Sequence, residues 1–373
     1  MFSIDKYNSQ VSKIYLSDPN FFMYSAALCR CEGITNIYSR LSKNKKINFF
    51  TYFICIPQLI AKIIRDIIFI SIARKNLLKN YFDKNSIIIV SFFDERNNNK
   101  GILEEEYFRK ILKNNKNVIC LYKLTTPGFY TRGKKYLKQI DSLEKNFDAF
   151  SEYNFIGYKM ILSALILNFK HLLKFLKFRF PKKINKNLIN FMWHVHLMEI
   201  LNGTVYNLYL QNRLYSQILE TNPSQILSVW ENQPYMRIIE YLKKTISPHT
   251  VSKGFQHTGF SKKLLQHYPT KAEKKLMSYP DILITNGIIN QKELKQNCNI
   301  NSKIIVGGAL RQMHLIGKKL NLEKLSTENL NGIAYAFSWE KDTYNEILSH
   351  LATIPKSIDI YLKFHPLYPE WIL

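Results

Sequence analysis

The chain has 373 residues, of which 46% are hydrophobic, and a formal net charge of +25 at pH 7. This apolar content excludes a globally disordered chain, and the length is enough for two domains. The charge would suit phosphate-rich partners, but lysine is spread throughout the sequence and accompanies no recognisable nucleic-acid-binding motif. We therefore expect no nucleic-acid partner.

The cysteines and the N-terminal residues both indicate a cytoplasmic protein. The five cysteines are odd in number and irregularly spaced, which favours reduced thiols over disulfides or a zinc site. Residues Met1–Asn20 are polar and lack the apolar segment of a secretory signal. The most apolar stretch, Phe49–Ala73, is interrupted by Pro57 and three charged residues, so no transmembrane span is predicted.

The first elements predicted along the chain form one βαβ unit. Ser86–Phe93 is short, apolar and rich in β-branched residues, as in a buried strand. Ile102–Leu112 has the periodicity of a helix, and Val118–Leu124 is a second apolar strand. Such a unit places its two strands in parallel, with a right-handed crossover.

The segment Tyr153–Met198 contains no Asp or Glu, and it combines an apolar helical stripe with a basic one. The apolar stripe consists of Leu162, Leu165, Ile166, Phe169, Leu173 and Leu176, and the basic one of Lys170, Lys174 and Lys177. Two interpretations stay open. The helix lies on an anionic membrane surface, which would attach the protein peripherally to the inner face of the cytoplasmic membrane, or its apolar stripe packs inward.

From Glu199 onward, strands and helices alternate. A long helix is predicted as far as Glu220. It is followed by strand Ile226–Trp230, helix Tyr235–Lys244, strands Thr250–Phe255 and Ile282–Thr285, helix Ile288–Gln296 and strand Lys303–Val306. This alternation is typical of a doubly wound parallel sheet, so the predicted fold class is α/β with a Rossmann-like domain.

The pattern divides the chain into a large domain and the start of a second one. Residues 1–316 form the Rossmann-like domain, and the polar stretch 317–331 is a linker. Residues 332–373 open a second βαβ unit, with strand Gly332–Phe337, helix Glu340–Ala352 and strand Asp359–Phe364. A unit this small is not stable by itself, so it either docks on the first domain or is the incomplete beginning of a second domain.

Two strand ends carry candidates for acid–base chemistry, because open α/β sheets bind ligands at the carboxyl ends of their strands. Glu231, followed by Asn232 and Gln233, could accept a proton from a substrate hydroxyl; alternatively Glu231 or Asn232 caps the next helix. Gln256 and His257 lie between two glycines that would permit a tight turn and close approach of a ligand. His257 is an acid, a base or a phosphate contact, or else a buried turn histidine.

Two further strand ends carry candidates for anion binding. A Gly-Gly turn that includes Gly308 precedes Arg311, whose guanidinium could hold a phosphate or carboxylate. Lys363 and His365 share one face of the last strand, and Pro366 ends it. The candidates for donor binding are Gly308, Arg311, Ser338, Lys363, His365 and Pro366. The chain lacks a DxD motif, a P-loop, an HExxH motif and a GxSxG motif, so we expect neither a metal nor a cofactor.

The order of the motifs WENQPYMR, GFQHTGF, GGALR and KFHP resembles a bacterial surface-carbohydrate biosynthesis family with a GT-B-like fold. Related patterns occur in capsular Kdo transferases, some bacterial sialyltransferases and the glycerophosphotransferases of teichoic acid synthesis. The resemblance covers Leu227 to Pro366. It implies that Lys363 and His365 contact the phosphate of a CMP- or CDP-type donor, and that Glu231 and His257 face the acceptor.

The resemblance therefore implies a metal-independent glycosyltransferase of O-antigen or capsule biosynthesis. Its partners would be a nucleotide-sugar donor and a lipid-linked or polysaccharide acceptor. The alternative is a truncated, non-catalytic or scaffold member of a polysaccharide assembly system, because a GT-B enzyme has a complete second Rossmann domain. If the chain is an enzyme, Glu231, His257, Arg311 and His365 are predicted to line one cleft between the two domains.

Overall fold

The computed structural model of the chain describes residues 50–73, 82–93, 98–99, 101–105, 107–108, 111–112, 117–124, 130–145, 147–178, 186–231, 234–256, 279–298, 300–307, 332–336, 349–351, 353–355 and 357–363. The chain divides into two compact units, residues 1–314 and residues 315–373.

The described residues of the first unit contain nine strands and seven α-helices. The strands are β1 Ile87–Phe93, β2 Asn98–Asn99, β3 Ile102–Leu103, β4 Val118–Leu124, β5 Asp148–Ser151, β6 Gln225–Trp230, β7 Val251–Gln256, β8 Ile282–Thr285 and β9 Lys303–Val306. The helices are α1 Phe50–Ile72, α2 Tyr130–Ser142, α3 Tyr158–Lys177, α4 Lys186–Leu201, α5 Thr204–Glu220, α6 Pro234–Ile246 and α7 Ile288–Asn297. A single 3₁₀ turn, Glu152–Asn154, follows β5.

Seven of these strands form one parallel sheet in the order β5-β4-β1-β6-β7-β8-β9. Strands β4 and β5 are added in turn on one side of β1. The chain then crosses to the other side of β1, where β6, β7, β8 and β9 are added in turn. The direction of building therefore reverses between β1 and β6. In doubly wound sheets, this topological switch point opens a crevice at the carboxyl ends of the two strands.

Both faces of the sheet are covered at β1 and β4, which explains why these two strands read as nearly continuous apolar runs. Ile88 and Val90 of β1 join the larger core, which contains buried residues of α1, α3, α5 and α6. Ile89 and Phe93 point to the opposite face and join a smaller core that includes residues of α2. The α/β, Rossmann-like parallel sheet predicted from the sequence is thus confirmed.

Most predicted strands are confirmed to within one residue, and two predictions need correction. The predicted helix Ile102–Leu112 begins instead with β3, which pairs antiparallel with β2. Gly101, with φ +92°, permits the turn between them. The predicted long helix ending at Glu220 is broken at Gly203, with φ +80°, so that α4 and α5 are separate. Helices α1 and α2 and strand β5 were not predicted from the sequence.

Helix α1 is fastened to the sheet by a buried carboxylate. Asp66 is 0% exposed, and its Oδ1 accepts hydrogen bonds from Nη2 of Arg65 at 2.7 Å and from the hydroxyl of Tyr153 at 2.9 Å. Its Oδ2 accepts a hydrogen bond from the hydroxyl of Tyr206 at 3.1 Å. One side chain of α1 therefore connects this helix both to the turn after β5 and to α5.

Helices α3, α4 and α5 are joined by two buried histidines. Nε2 of His171 lies 2.9 Å from Nε2 of His196, and Nδ1 of His171 lies 3.1 Å from the hydroxyl of Tyr209. Burial lowers the pKa of His196 from 6.5 to about 3, although Oε2 of Glu199 lies 3.7 Å from its Nδ1. His196 is therefore neutral in the folded protein at physiological pH, which agrees with a core histidine.

We expect His196 to destabilise the fold as the pH falls below about 6.5, because the unfolded chain then binds a proton that the folded chain excludes. Between pH 7.5 and pH 5.0 this contribution amounts to about 2 kcal/mol. The substitution His196→Gln removes this pH-dependent contribution, because glutamine does not titrate. Urea unfolding at both pH values should show that the stability difference between wild type and variant shrinks by that amount, whereas parallel pH profiles would contradict the assignment. Comparing the two proteins cancels the effect of every other group that titrates in this pH range.

The second unit contains a parallel pair, β10 Gly332–Ala336 and β11 Asp359–Lys363. A parallel pair requires a crossover connection, as the predicted βαβ unit does. Of the predicted helix Glu340–Ala352, the structure describes residues 349–351, and these are helical. The predicted linker, residues 317–331, lies outside the described residues.

Candidate functional site

The structure describes three of the predicted site residues, namely Glu231, Gln256 and the backbone of Lys363. Lys363 ends β11 of the second unit. The remaining candidates lie outside the described residues; they are Asn232, Gln233, His257, Gly308, Arg311, Ser338, His365 and Pro366. The predicted convergence of four motifs in one cleft therefore stays a prediction.

Glu231 lies at the switch point of the sheet. It directly follows β6, whose neighbour on one side is β1, and the next helix, α6, begins at Pro234. Its backbone N–H points at the sulfur of Met236, with nitrogen and sulfur 3.4 Å apart. Trp230, which precedes it, is buried, whereas Glu231 itself is half-buried. A carboxylate in this position is anchored on a rigid strand and still reaches the surface.

A buried ion pair lies at the carboxyl ends of two other strands of the sheet. Nζ of Lys123, near the end of β4, lies 2.9 Å and 3.1 Å from the two carboxylate oxygens of Glu152, directly after β5. The hydroxyl of Tyr215 donates to Oε1 of Glu152 at 2.5 Å. Both charged side chains are thus removed from water and satisfied by each other and by one phenol, as buried charges require.

Tyr235 connects this ion pair with Glu231. Nζ of Lys123 lies 4.3 Å from the centre of the Tyr235 ring, in cation–π geometry. Burial raises the pKa of Tyr235 well above 10, and the negative charges of Glu231 and Glu152 raise it further. The phenol therefore stays protonated beside two carboxylates. We call Lys123, Glu152, Tyr215, Tyr235 and Glu231 the switch-point cluster.

Four members of the switch-point cluster were not predicted from the sequence, although one signal was present. Lys123 interrupts an otherwise apolar strand, VICLYKL, and a cation in such a strand needs a buried partner. The partner could not be found from the sequence, because Glu152 is 29 residues away and follows a strand that was not predicted. Tyr215 and Tyr235 lie on helices and resemble ordinary core aromatics in the sequence.

Gln256 ends β7 and joins two neighbouring strand ends. Its side-chain oxygen accepts a hydrogen bond from the backbone N–H of Asn286, after β8, at 3.0 Å, and the residue is 6% exposed.

Gly254 lies inside β7 and not in a turn. A Cβ at this position would lie 2.9 Å from Leu283 and 3.0 Å from Trp230, so close packing explains this glycine.

The carboxylate of Glu240, on α6, is buried near the amino ends of the strands. Burial raises the pKa of Glu240 from 4.5 to about 7, even though Nζ of Lys243 lies 3.8 Å away. Its Oε2 accepts a hydrogen bond from the hydroxyl of Ser252, which also bonds Asp281. Such a pKa would suit a general base, but Ser252 is near the amino end of β7, and Asp281 precedes β8. These contacts therefore tie α6 to the sheet, away from the edge where ligands bind.

On the other face of β1, Ser91 holds the segment that follows the β2–β3 hairpin. Its hydroxyl donates to Oε1 of Glu105 at 2.5 Å, and the backbone N–H of Phe108 donates to Oε2. Glu105 is 1% exposed. Burial raises the pKa of the neighbouring Cys120 thiol well above 9, so this cysteine is not a reactive thiolate.

In the part of the chain that the structure describes, no three residues of His, Cys, Asp or Glu are grouped as they would be around a metal ion. Comparison with known proteins finds no family model that matches the chain and no curated protein that is similar to it. The functional assignment therefore depends on the geometry of the site and on the motifs of the sequence.

Proposed function

We propose that this chain is a metal-independent glycosyltransferase of surface-polysaccharide biosynthesis with a GT-B-like fold. The observation that carries the proposal is the place of Glu231 at the switch point of a doubly wound parallel sheet. Ligands of such sheets bind in the crevice at this point. The motif resemblance supplies the reaction class and a nucleotide-activated donor of the CMP or CDP type.

On the acceptor side, Glu231 removes the proton from the acceptor hydroxyl as its oxygen attacks the anomeric carbon of the donor sugar. His257 is the alternative base. Asn232, Gln233 and Gln256 contact the acceptor. The side-chain oxygen of Gln256 accepts a hydrogen bond from the backbone N–H of Asn286, which fixes the position of this side chain.

On the donor side, Lys363 and His365 stabilise the negative charge that gathers on the leaving nucleotide phosphate. The bond between the anomeric carbon and the phosphate oxygen breaks as the bond to the acceptor oxygen forms. Gly308, Arg311, Ser338 and Pro366 complete the donor site in this proposal.

The other members of the switch-point cluster support Glu231. The charges of Lys123 and Glu152 balance each other, so the ion pair brings no net charge to the crevice. Tyr235 packs against Lys123 and stays protonated near Glu231. This arrangement holds the start of α6, and with it Glu231, in a fixed position. Such rigid support is what a catalytic carboxylate needs.

In the cell, the proposed enzyme works in the cytoplasm at the inner face of the cytoplasmic membrane, where nucleotide-activated donors are available. Its acceptor is a lipid-linked or polysaccharide chain. Among the described helices, none is both long and apolar enough to cross a membrane.

We expect CMP or CDP, but not UDP or GDP, to raise the melting temperature of the protein. A nucleotide present at 100 times its dissociation constant stabilises the folded state by about 2.7 kcal/mol. For a chain of this size, that corresponds to a shift of roughly 3–4 °C. His365→Ala should abolish the shift, and Glu231→Gln should preserve it, because Glu231 faces the acceptor. Differential scanning fluorimetry on the four nucleotides measures this.

Equal shifts with all four nucleotides would indicate unspecific binding of anions to a basic protein and would contradict the donor site. If none of the four nucleotides stabilises the protein, the proposal that it uses a nucleotide-activated donor is wrong. The alternative of a non-catalytic member of a polysaccharide assembly system would then be preferred.

A further inference from the structure

Helix α3 exposes the apolar stripe that its sequence predicts. Leu162 and Phe169 are each 59% exposed and Leu176 is 54% exposed. Three other residues of this face are also exposed, namely Tyr158, Ile166 and Leu173. Leu165 alone of the predicted stripe packs against the core. The interpretation that this stripe packs inward is therefore wrong for most of its residues.

Helix α1 exposes a second apolar stripe of the same kind. Phe53 is 57% exposed, and Ile60 and Ile64 are about half exposed. Ile56 and Ile67 are also exposed, so exposed apolar residues recur every three or four positions along one face of the helix. Exposed apolar patches of this extent mark interaction surfaces in folded proteins.

The two stripes meet. The hydroxyl of Ser71, at the end of α1, lies 3.1 Å from the hydroxyl of Tyr158, at the start of α3, and both groups are exposed. Ser71 continues the stripe of α1 beyond Ile67, and Tyr158 begins the stripe of α3. The exposed apolar residues of both helices therefore form one surface, which we call the α1–α3 surface.

Within helices α1 and α3, the exposed charged side chains all have one sign. Apart from the apolar stripe, the exposed side chains of α3 are Lys159, Lys170, Lys174 and Lys177. Helix α3 contains no acidic residue, and the one acidic residue of α1, Asp66, is fully buried. An apolar stripe bordered only by lysine is the pattern of a helix that lies in the headgroup region of an anionic bilayer.

We propose that the α1–α3 surface docks this protein on the surface of an anionic phospholipid bilayer. The apolar stripes enter the boundary between headgroups and acyl chains, and the four lysines bind lipid phosphates. A second copy of the chain fits this surface poorly, because it would bring two lysine-bordered faces of a protein of net charge +25 together. The docking does not depend on the proposed glycosyl transfer.

The fold presents this surface rigidly. Asp66 holds α1 on its inner side, while Asn168 and His171 hold α3 through hydrogen bonds to the backbone oxygen of Ile200 and to Tyr209. The inner faces of both helices are thus fixed by buried polar contacts, and the outer faces remain available to the lipid. No folding of the helices on the membrane is required.

The test is sedimentation of the full chain with vesicles, either of phosphatidylcholine alone or with phosphatidylglycerol added. We expect binding to the anionic vesicles that weakens as salt is raised, since exposed charges are screened over about 8–10 Å. Replacement of Lys170 and Lys174 by glutamine should weaken this binding roughly fivefold per lysine. Replacement of Leu162 or Phe169 by serine should weaken it about tenfold.

Matched controls come from α7, which packs against β8 and β9. Lys292 and Lys295 are exposed there, and Ile289 is 81% exposed. The glutamine variants of these lysines and Ile289→Ser should bind vesicles like the wild type. All the substituted residues are exposed, so melting temperatures should be unchanged.

Equal binding to neutral and anionic vesicles would overturn the proposal. Equal losses of vesicle binding in the α3 variants and the α7 variants would overturn it as well. Failure to bind either vesicle would also overturn it. In that case, a dimer in sedimentation velocity that Phe169→Ser dissociates would assign the surface to self-association. Because no donor or acceptor is present, these results are independent of whether the protein transfers a sugar.

Discussion

Asp66→Ala is expected to lower the free energy of unfolding by about 3–5 kcal/mol. The carboxylate is fully buried and accepts hydrogen bonds from Arg65, Tyr153 and Tyr206. Its removal breaks the ion pair with the guanidinium of Arg65, whose side chain is only 12% exposed. Two phenols lose their acceptor at the same time, and each loss adds the cost of an unsatisfied buried group.

Guanidinium unfolding followed by circular dichroism measures this change. The control is Asp141→Ala, because Asp141 is an exposed aspartate on α2 and should change the stability by less than about 0.5 kcal/mol. Tyr153→Phe and Tyr206→Phe each remove one donor and keep the ion pair, so each should cost about 1 kcal/mol. A loss for Asp66→Ala no larger than that of the control would show that α1 is not held by this carboxylate.

Glu231→Gln is expected to lower the turnover number of the active enzyme about 10²–10⁴-fold, the usual contribution of a general base. Glutamine keeps the shape of the side chain but cannot accept the proton of the acceptor hydroxyl. Because Glu231 is half-buried and glutamine is isosteric, the melting temperature should be nearly unchanged. The donor dissociation constant should also be unchanged, since Glu231 faces the acceptor.

Single-turnover assays with a CMP- or CDP-linked sugar measure this effect. Glu220→Gln, an exposed carboxylate at the end of α5, is the control and should retain full activity. If Glu231→Gln is fully active and His257→Ala is not, the base is His257. If neither substitution changes the rate in an active preparation, the glycosyltransferase site proposed here is wrong.

The sheet could be predicted from the sequence because its strands are buried on both faces. Ile87–Phe93 and Val118–Leu124 are apolar runs with β-branched residues, a pattern that depends on local sequence alone. The strand β5, Asp148–Ser151, has four residues of mixed character and is recognisable only by its pairing with β4. Helix α1 was missed because Pro57, Lys62, Arg65 and Asp66 were interpreted only as obstacles to a membrane span.

The candidate site was predicted less completely, because its members are brought together by the order of the strands. The sequence indicated Glu231 as the residue that follows a strand. Whether that strand lies at an edge of the sheet or at the switch point depends on its pairing with β1, which joins residues about 138 positions apart (Ile87 with Gln225). The ion pair of Lys123 and Glu152 likewise forms only after β4 and β5 are aligned.

The sequence by itself determined the α/β class, the positions of most strands and the presence of a lysine-bordered apolar stripe on α3. These features follow from periodicity and composition, which act over a few neighbouring residues. Only the tertiary structure decided that Glu231 lies at the switch point and that the stripe of α3 faces outward. Both depend on which elements pack together, since an amphipathic helix exposes its apolar face only when the core is filled by other residues. Here His171 and Phe175 of α3 pack against α4, and His171 also contacts α5, which leaves Leu162 and Phe169 at the surface.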